Sequence, residues 1–129
     1  MSTIQKFEDL EAWKLSREIT KDIYKISSSG SFTKDYGLRD QIRRSSVSVM
    51  SNIAEGFERD GDKEFTQFLS IAKGSAGEAR SQLYVALDQN YISETEFNLI
   101  YQKLTENSRI ISGLMKYLQH SEIKGKKFR

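Results

Sequence analysis

The chain contains no cysteine, no proline and no long apolar run, and it carries one histidine, one tryptophan and a formal net charge of only +2. Without cysteine there is no disulfide framework, thiolate zinc site or cysteine nucleophile, which fits a reducing, cytoplasmic setting. An average chain of this length would hold about six prolines, so their absence predicts few rigid loops and long uninterrupted helices. No stretch approaches the roughly 18 apolar residues of a membrane span. Met1 to Asp9 is mixed and acidic, without the apolar segment of a secretory signal. Membrane association is therefore not expected. The charge is unevenly placed. Lys124, Lys126, Lys127 and Arg129 against Glu122 give residues 121–129 a charge of +3, which leaves −1 for the preceding 120. Such a body is unlike a dedicated basic nucleic-acid domain, so binding of that kind would have to come from local patches or from the tail.

What is present is enough for one domain over residues 1–129, ending in a basic tail at 121–129. The chain has 129 residues, 37% hydrophobic and 29% charged. A chain of this size buries roughly two-thirds of the surface its unfolded form exposes. Four segments carry apolar residues at three- and four-residue spacing, and none alternates as a strand does. The first is expected to start at Asp9 as N-cap, with Ala12, Leu15, Ile19, Ile23 and Ile26 on one face, and to end in the Ser27–Ser31 run. The second starts near Asp35, lines up Leu38, Ile42, Ser45, Val49, Ile53 and Gly56, and closes at the turn 58–62. The third aligns Phe65, Phe68, Leu69, Ala72, Ala76, Ala79, Leu83 and Leu87, and breaks at Asp88-Gln89-Asn90. The fourth opens with Ser93-Glu94-Thr95-Glu96, a capping box, and continues as Phe97, Ile100, Leu104, Ile111, Met115 and Leu118, close to a heptad seam. Four amphipathic helices with short connections predict an all-α, antiparallel up-down-up-down four-helix bundle.

The run Gln41-Ile42-Arg43-Arg44-Ser45-Ser46-Val47-Ser48-Val49-Met50-Ser51-Asn52-Ile53-Ala54-Glu55-Gly56-Phe57 resembles the signature of the four-helix bundle proteins related to the 23S rRNA intervening-sequence protein. Phe7-x-x-Leu10-x-x-Trp13, Lys73-Gly74-Ser75-Ala76 with Glu78, and Asn90-Tyr91-Ile92 agree in order and spacing, so the resemblance spans almost the whole chain. It implies a small four-helix subunit that assembles into a ring, a homopentamer, from a family without a defined chemistry. The chain is similar, more loosely, to the accessory protein of diversity-generating retroelements, a pentamer of such bundles associated with nucleic acid. Relatives often carry proline where this chain has Thr33 and Met50, and alanine and leucine where it has Gly77 and Ala79. Helix two is accordingly expected to run without a proline break.

The helix faces point the same way. On a wheel, Arg43, Ser46, Val47, Met50, Ala54 and Phe57 lie roughly 80° to 180° from the inner stripe of helix two, a second and mostly apolar face. Either another part of the chain covers it, or it is a subunit interface through Val47, Met50, Ala54 and Phe57. On helix three, Ser70, Gly74, Gly77 and Ser81 form a smooth strip opposite the core face. Each mid-helix glycine costs about 1 kcal/mol against alanine, so the pair calls for either a close backbone approach by a neighbouring copy or neutral drift at an exposed surface. Gln41, Arg44, Ser48, Ser51 and Glu55 make the polar face of helix two. Arg43, Arg44, Glu55 and, on helix three, Glu78 are expected to make structural ion pairs within or between subunits, or a recognition site.

Catalysis finds little support. His120 stands alone near the end of helix four, where its cationic form complements the helix dipole. Ser45, Ser46, Ser48 and Ser51 have no base at useful spacing. Gly74-Ser75-Ala76-Gly77 lacks the ending of a P-loop and sits inside a helical period. Glu55 and Glu78 lack the further ligands of a carboxylate metal site. The expectation is a protein that is not an enzyme, with no cofactor, no metal and no small-molecule substrate, whose partner is itself. The alternative partner is RNA or DNA, held by Arg39, Arg43, Arg44 and the tail residues Lys124, Lys126, Lys127 and Arg129. A ring would repeat those charges several-fold. The competing reading of the tail is a solvated, frayed terminus.

Overall fold

The computed structural model describes residues 4–124, with side chains as far as residue 120. Four helices make the fold: α1 (Glu11–Ile26), α2 (Tyr36–Glu58), α3 (Asp62–Asp88) and α4 (Glu94–Lys124). Short 3-10 turns at Phe7–Asp9 and Gly30–Lys34 complete the architecture, and no strand occurs among the described residues. Each helix packs antiparallel on its sequence neighbour, and α4 returns to α1 to close the bundle. The all-α up-down-up-down expectation holds. No helix among the described residues is long and apolar enough to cross a membrane.

The predicted stripes are the core. Ile19, Ile23, Ile42, Ile53, Leu69, Leu83, Ile100, Leu104, Ile111 and Leu118 are buried almost completely. Each such side chain contributes about 1.5–3 kcal/mol of burial free energy. Phe32, carried by the turn between α1 and α2, is also fully buried and stacks on Tyr91 with centroids 5.2 Å apart. The closest seam is α2 on α3, because the inner face of α3 is built from Ala72, Ala76, Ala79 and Ala86. Gly56 completes that approach. A β-carbon there would stand 2.7 Å from the Phe68 Cβ and 3.0 Å from the Phe65 ring. Only glycine leaves the backbones room.

The helix ends follow from local chemistry. Asp35 caps α2, its Oδ1 accepting the Leu38 N–H at 3.1 Å, while its Oδ2 accepts the Tyr91 hydroxyl at 3.0 Å. The Ser93 capping box forms in full. The Ser93 N–H donates to the Glu96 carboxylate at 2.9 Å, and the Glu96 N–H donates to the Ser93 hydroxyl at 3.1 Å. Asn90 adopts φ 61° after α3, with the Tyr91 N–H reaching the Ala86 carbonyl and the Asn90 N–H the Leu87 carbonyl. This is a Schellman ending, in which asparagine tolerates the left-handed conformation better than most residues.

Three expectations change. Asp9 does not cap α1; it belongs to the preceding 3-10 turn, and Leu10 occupies the cap position without a side-chain bond. Burial of Leu10 and the edge-on packing of Phe7 against Trp13, 5.2 Å apart, fix the chain entry instead. The α4 helix runs to Lys124, four residues into the segment expected as a tail, since no breaker precedes Gly125. Third, the seam of α4 has a polar member. Asn107, between Leu104 and Ile111, is fully buried, and its amide finds no hydrogen-bond partner among the described residues. It faces Ser16, Ser46 and Val49 across a gap too narrow to hold a water molecule. Both serines turn their hydroxyls onto their own helices, to the carbonyls of Trp13 and Arg43.

Candidate functional site

The residues that carry the α2 signature are mostly occupied within the fold. The Ser45 hydroxyl donates to Gln82 Oε1 on α3 at 2.9 Å, and the hydroxyls of Ser48 and Ser75 meet at 2.8 Å. Asn52 Nδ2 donates back to the Ser48 carbonyl and hydroxyl. These contacts, with Gly56, zip α2 onto α3. Glu55 pairs with Arg59 at 2.7 Å along the same helix, both side chains about half exposed, an arrangement that contributes about 0–1 kcal/mol. Arg44 and Glu78 line one polar cleft of about 340 Å³ between α2 and α3, and no ion pair joins them among the described residues.

The arginine patch divides. Arg43 donates through Nε to the Ser27 hydroxyl at 2.8 Å and through Nη2 to the Ser28 hydroxyl at 2.9 Å, and its guanidinium covers the Tyr24 ring at 4.5 Å. Those serines in turn donate to the carbonyls of Ile23 and Tyr24, so Arg43 closes the end of α1. Arg39 donates to Asp40 and to the Thr33 carbonyl and lies over Tyr36. The fold thus brings an aromatic ring to each of these two guanidiniums. Arg44 is exposed and unpaired among the described residues. Lys124 ends α4, and its side chain, together with Lys126, Lys127 and Arg129, lies outside the described residues.

The second face of α2 is partly covered by its own chain. Ser46 is 1% exposed and its carbonyl accepts the Thr20 hydroxyl of α1 at 3.3 Å. Phe57 packs edge-on against Phe65 with centroids 5.8 Å apart. Met50 and Ala54 are half-buried, and Val47 remains exposed. The strip on α3 is open. Ser70, Gly74 and Ser81 are exposed, a β-carbon at Gly74 would meet nothing within 4 Å, and one at Gly77 would meet only the Arg80 guanidinium at 3.7 Å. Flanking it are Ile71, Tyr84 and Val85, at 53%, 49% and 44% exposure.

One feature escaped the sequence reading. Between α3 and α4 lies an open groove of about 540 Å³, with Lys73 and Arg80 on one wall and Arg109 and Lys116 on the other. Arg80 Nη1 donates to the Ser108 hydroxyl at 3.0 Å, which sets the register of the walls. Arg109 pairs with Glu106 at 3.2 Å, both largely exposed; Lys73, Arg80 and Lys116 have no ion pair among the described residues. On the opposite face of α4, Lys103 bridges Glu18 at 2.7 Å and Asp22 at 2.8 Å on α1. The hydrogen bonds it donates to the Asp22 and Glu18 carboxylates hold the Lys103 ammonium above its ordinary pKa. The bond to Asp35 likewise raises that of Tyr91. His120 Nδ1 lies 3.0 Å from the Lys116 carbonyl at the surface. No cluster of three or more metal-ligating side chains occurs among the described residues.

Comparison with known proteins agrees with the architecture. A family profile described as "23S rRNA-intervening sequence protein" matches residues 8–113. Among solved structures, the chain is similar to a protein of unknown function from the S23 ribosomal protein family of Bacteroides thetaiotaomicron VPI-5482. The two are 25% identical with a TM-score of 0.74, over 81% of this chain and 98% of that one. No curated protein matches significantly.

Proposed function

This chain belongs to the 23S rRNA-intervening sequence protein family, and from that premise we propose that it works by assembly rather than catalysis, as a cytoplasmic four-helix subunit of a homo-oligomeric ring. Five copies is the number that the family resemblance suggests. The observation that carries this reading is the outer face of α3. Two mid-helix glycines lower helix propensity there, and a β-carbon at Gly74 would meet nothing within 4 Å among the described residues. Exposed Ile71, Tyr84 and Val85 border the same strip. A neighbouring helix lying on it would reach the backbone closely and bury those side chains, which offsets the propensity cost. Val47 and the half-buried Met50 on α2 supply a second apolar surface for the opposite side of a closed ring.

Gly74→Leu separates assembly from folding. Leucine improves helix propensity at an open position, so the subunit keeps or gains stability while the close approach is blocked. Multi-angle light scattering at micromolar concentration should show an oligomer for the natural chain and smaller species for the variant. A monomeric natural chain would refute the proposal.

A second reading, nucleic-acid binding by the α2 arginines and the basic tail, is favoured by one specific observation: Arg44 is exposed and, among the described residues, has no paired carboxylate. Arg39 and Arg43 support it less, since their guanidiniums already hold the turn between α1 and α2.

A further inference from the structure

We propose that the groove between α3 and α4 is a docking track for the phosphodiester backbone of a single-stranded nucleic acid. The proposal rests on the nucleic-acid reading for its class of ligand, but it places the contact on a face that the α2 arginines do not occupy.

Charge partition is the first support. Residues 1–120 sum to −1. The four groove cations with Glu106 account for +3, so the rest of that body carries −4. The groove is a concentrated positive region on an otherwise acidic surface, the arrangement that draws a polyanion to one place. Geometry is the second. Lys73 and Arg80 are spaced about 10 Å along α3, and Arg109 and Lys116 about 10 Å along α4, at 1.5 Å per residue. Because the helices run antiparallel with Arg80 against Ser108, the cations stand in two facing rows. Neighbouring helix axes are about 8–10 Å apart, so a duplex cannot enter between the rows, while one strand can lie along them.

The surface between the rows suits phosphate. Ser108 and Ser112 offer hydroxyl donors to phosphate oxygens, and the open β-carbon position of Gly113 lowers one wall so that a backbone can approach. Apolar side-chain pockets of the kind that would anchor an acidic peptide do not occur among the lining residues, apart from the half-buried ring of Tyr101 at one end. That ring is already packed against Phe97 and Tyr84, with centroids 5.2 and 5.6 Å away, so the track is a contact to the phosphodiester backbone alone.

The test uses the full chain and a fluorescent random-sequence RNA of about 20 nucleotides, with DNA of the same length, by anisotropy at about 50 and 300 mM salt. Binding should weaken steeply with salt. Lys73→Glu with Lys116→Glu should lower affinity at least about tenfold at the lower salt and flatten the salt slope by about one to two. RNA and DNA should respond alike, since the contacts are to the backbone. Circular dichroism checks the fold. If the reversal pair loses helix, Lys73→Gln with Lys116→Gln decides by the direction of its affinity change. Unchanged affinity in the groove variants, with loss in Arg44→Glu or on removal of residues 125–129, overturns the groove while leaving the nucleic-acid reading intact. No binding of either polymer at the lower salt overturns both. Competition by polyglutamate equal to that by RNA overturns the phosphate assignment.

Discussion

Small residues on α3 have opposite fates on its two sides. Toward α2, Ala72, Ser75, Ala76 and Ala79 are buried against a helix brought close by Gly56, and Ser75 is hydrogen-bonded across the seam. Away from it, Ser70, Gly74, Gly77 and Ser81 face outward, and a β-carbon at Gly74 would meet nothing within 4 Å among the described residues. The first set is explained within one chain; the second is not. Residue size alone therefore says nothing of role. What separates the two sides is whether an added methyl group would meet an atom.

The largest effect expected from that contrast comes from alanine at each side. Gly56→Ala forces a β-carbon against Phe68 and the Phe65 ring and should cost about 1–3 kcal/mol, or more if the seam cannot open. Gly74→Ala should instead stabilise the isolated subunit by up to about 1 kcal/mol. Urea unfolding measures both, and equal signs would remove the distinction between the two faces. Asn107→Leu sharpens the comparison from the α4 side, where a polar group is buried without a partner. Relieving it should raise stability by about 1–2 kcal/mol, read as a higher urea midpoint. A fall would mean that the tight packing beside Ser16 cannot take the branched side chain.

The smallest effect is alkaline. Lys103 and Tyr91 have pKa values raised in the folded chain above their ordinary 10.5 and 10.0. Their contribution is complete below those ordinary values and is lost as pH rises through the elevated ones. The urea midpoint should fall above about pH 10, and the fall should shrink in Lys103→Gln with Tyr91→Phe. A variant as alkali-sensitive as the natural chain would exclude these two groups as the cause.

The bundle was legible because its information is periodic. The apolar spacing located all four helices, and the Ser93 box and the Asp35 start are local signals that the structure repeats. Asp9 misled because a capping residue type was preferred to the burial of Leu10 next to it. Asn107 went unseen because the stripe on α4 was read through apolar residues, which leaves a gap at the one seam position filled by an amide. The candidate sites were less legible for a geometric reason. Ser27 and Ser28 lie 16 and 15 residues before Arg43, so a linear reading could not show that guanidinium already engaged. Lys73 and Lys116 come to one groove only through the antiparallel register of α3 and α4, while the near-neutral sum of the chain hides them.

The bridge from Lys103 to Asp22 joins residues 81 apart in sequence, whereas α2 and α3 are connected through residues 59–61 alone. A long chain loop pays its closure entropy before a distant contact rewards it, so the α2–α3 hairpin is the natural early structure and the return of α4 onto α1 comes late. Weakening the bridge should then leave the folding arm of a chevron almost unmoved and steepen nothing, but raise the unfolding rate, whereas a slower folding arm would place this closure in the transition state. With the folding arm unmoved, the molecule opens in the reverse of the order in which it closed, α4 leaving α1 first, and the lifetime of the folded subunit is set at its last-made seam.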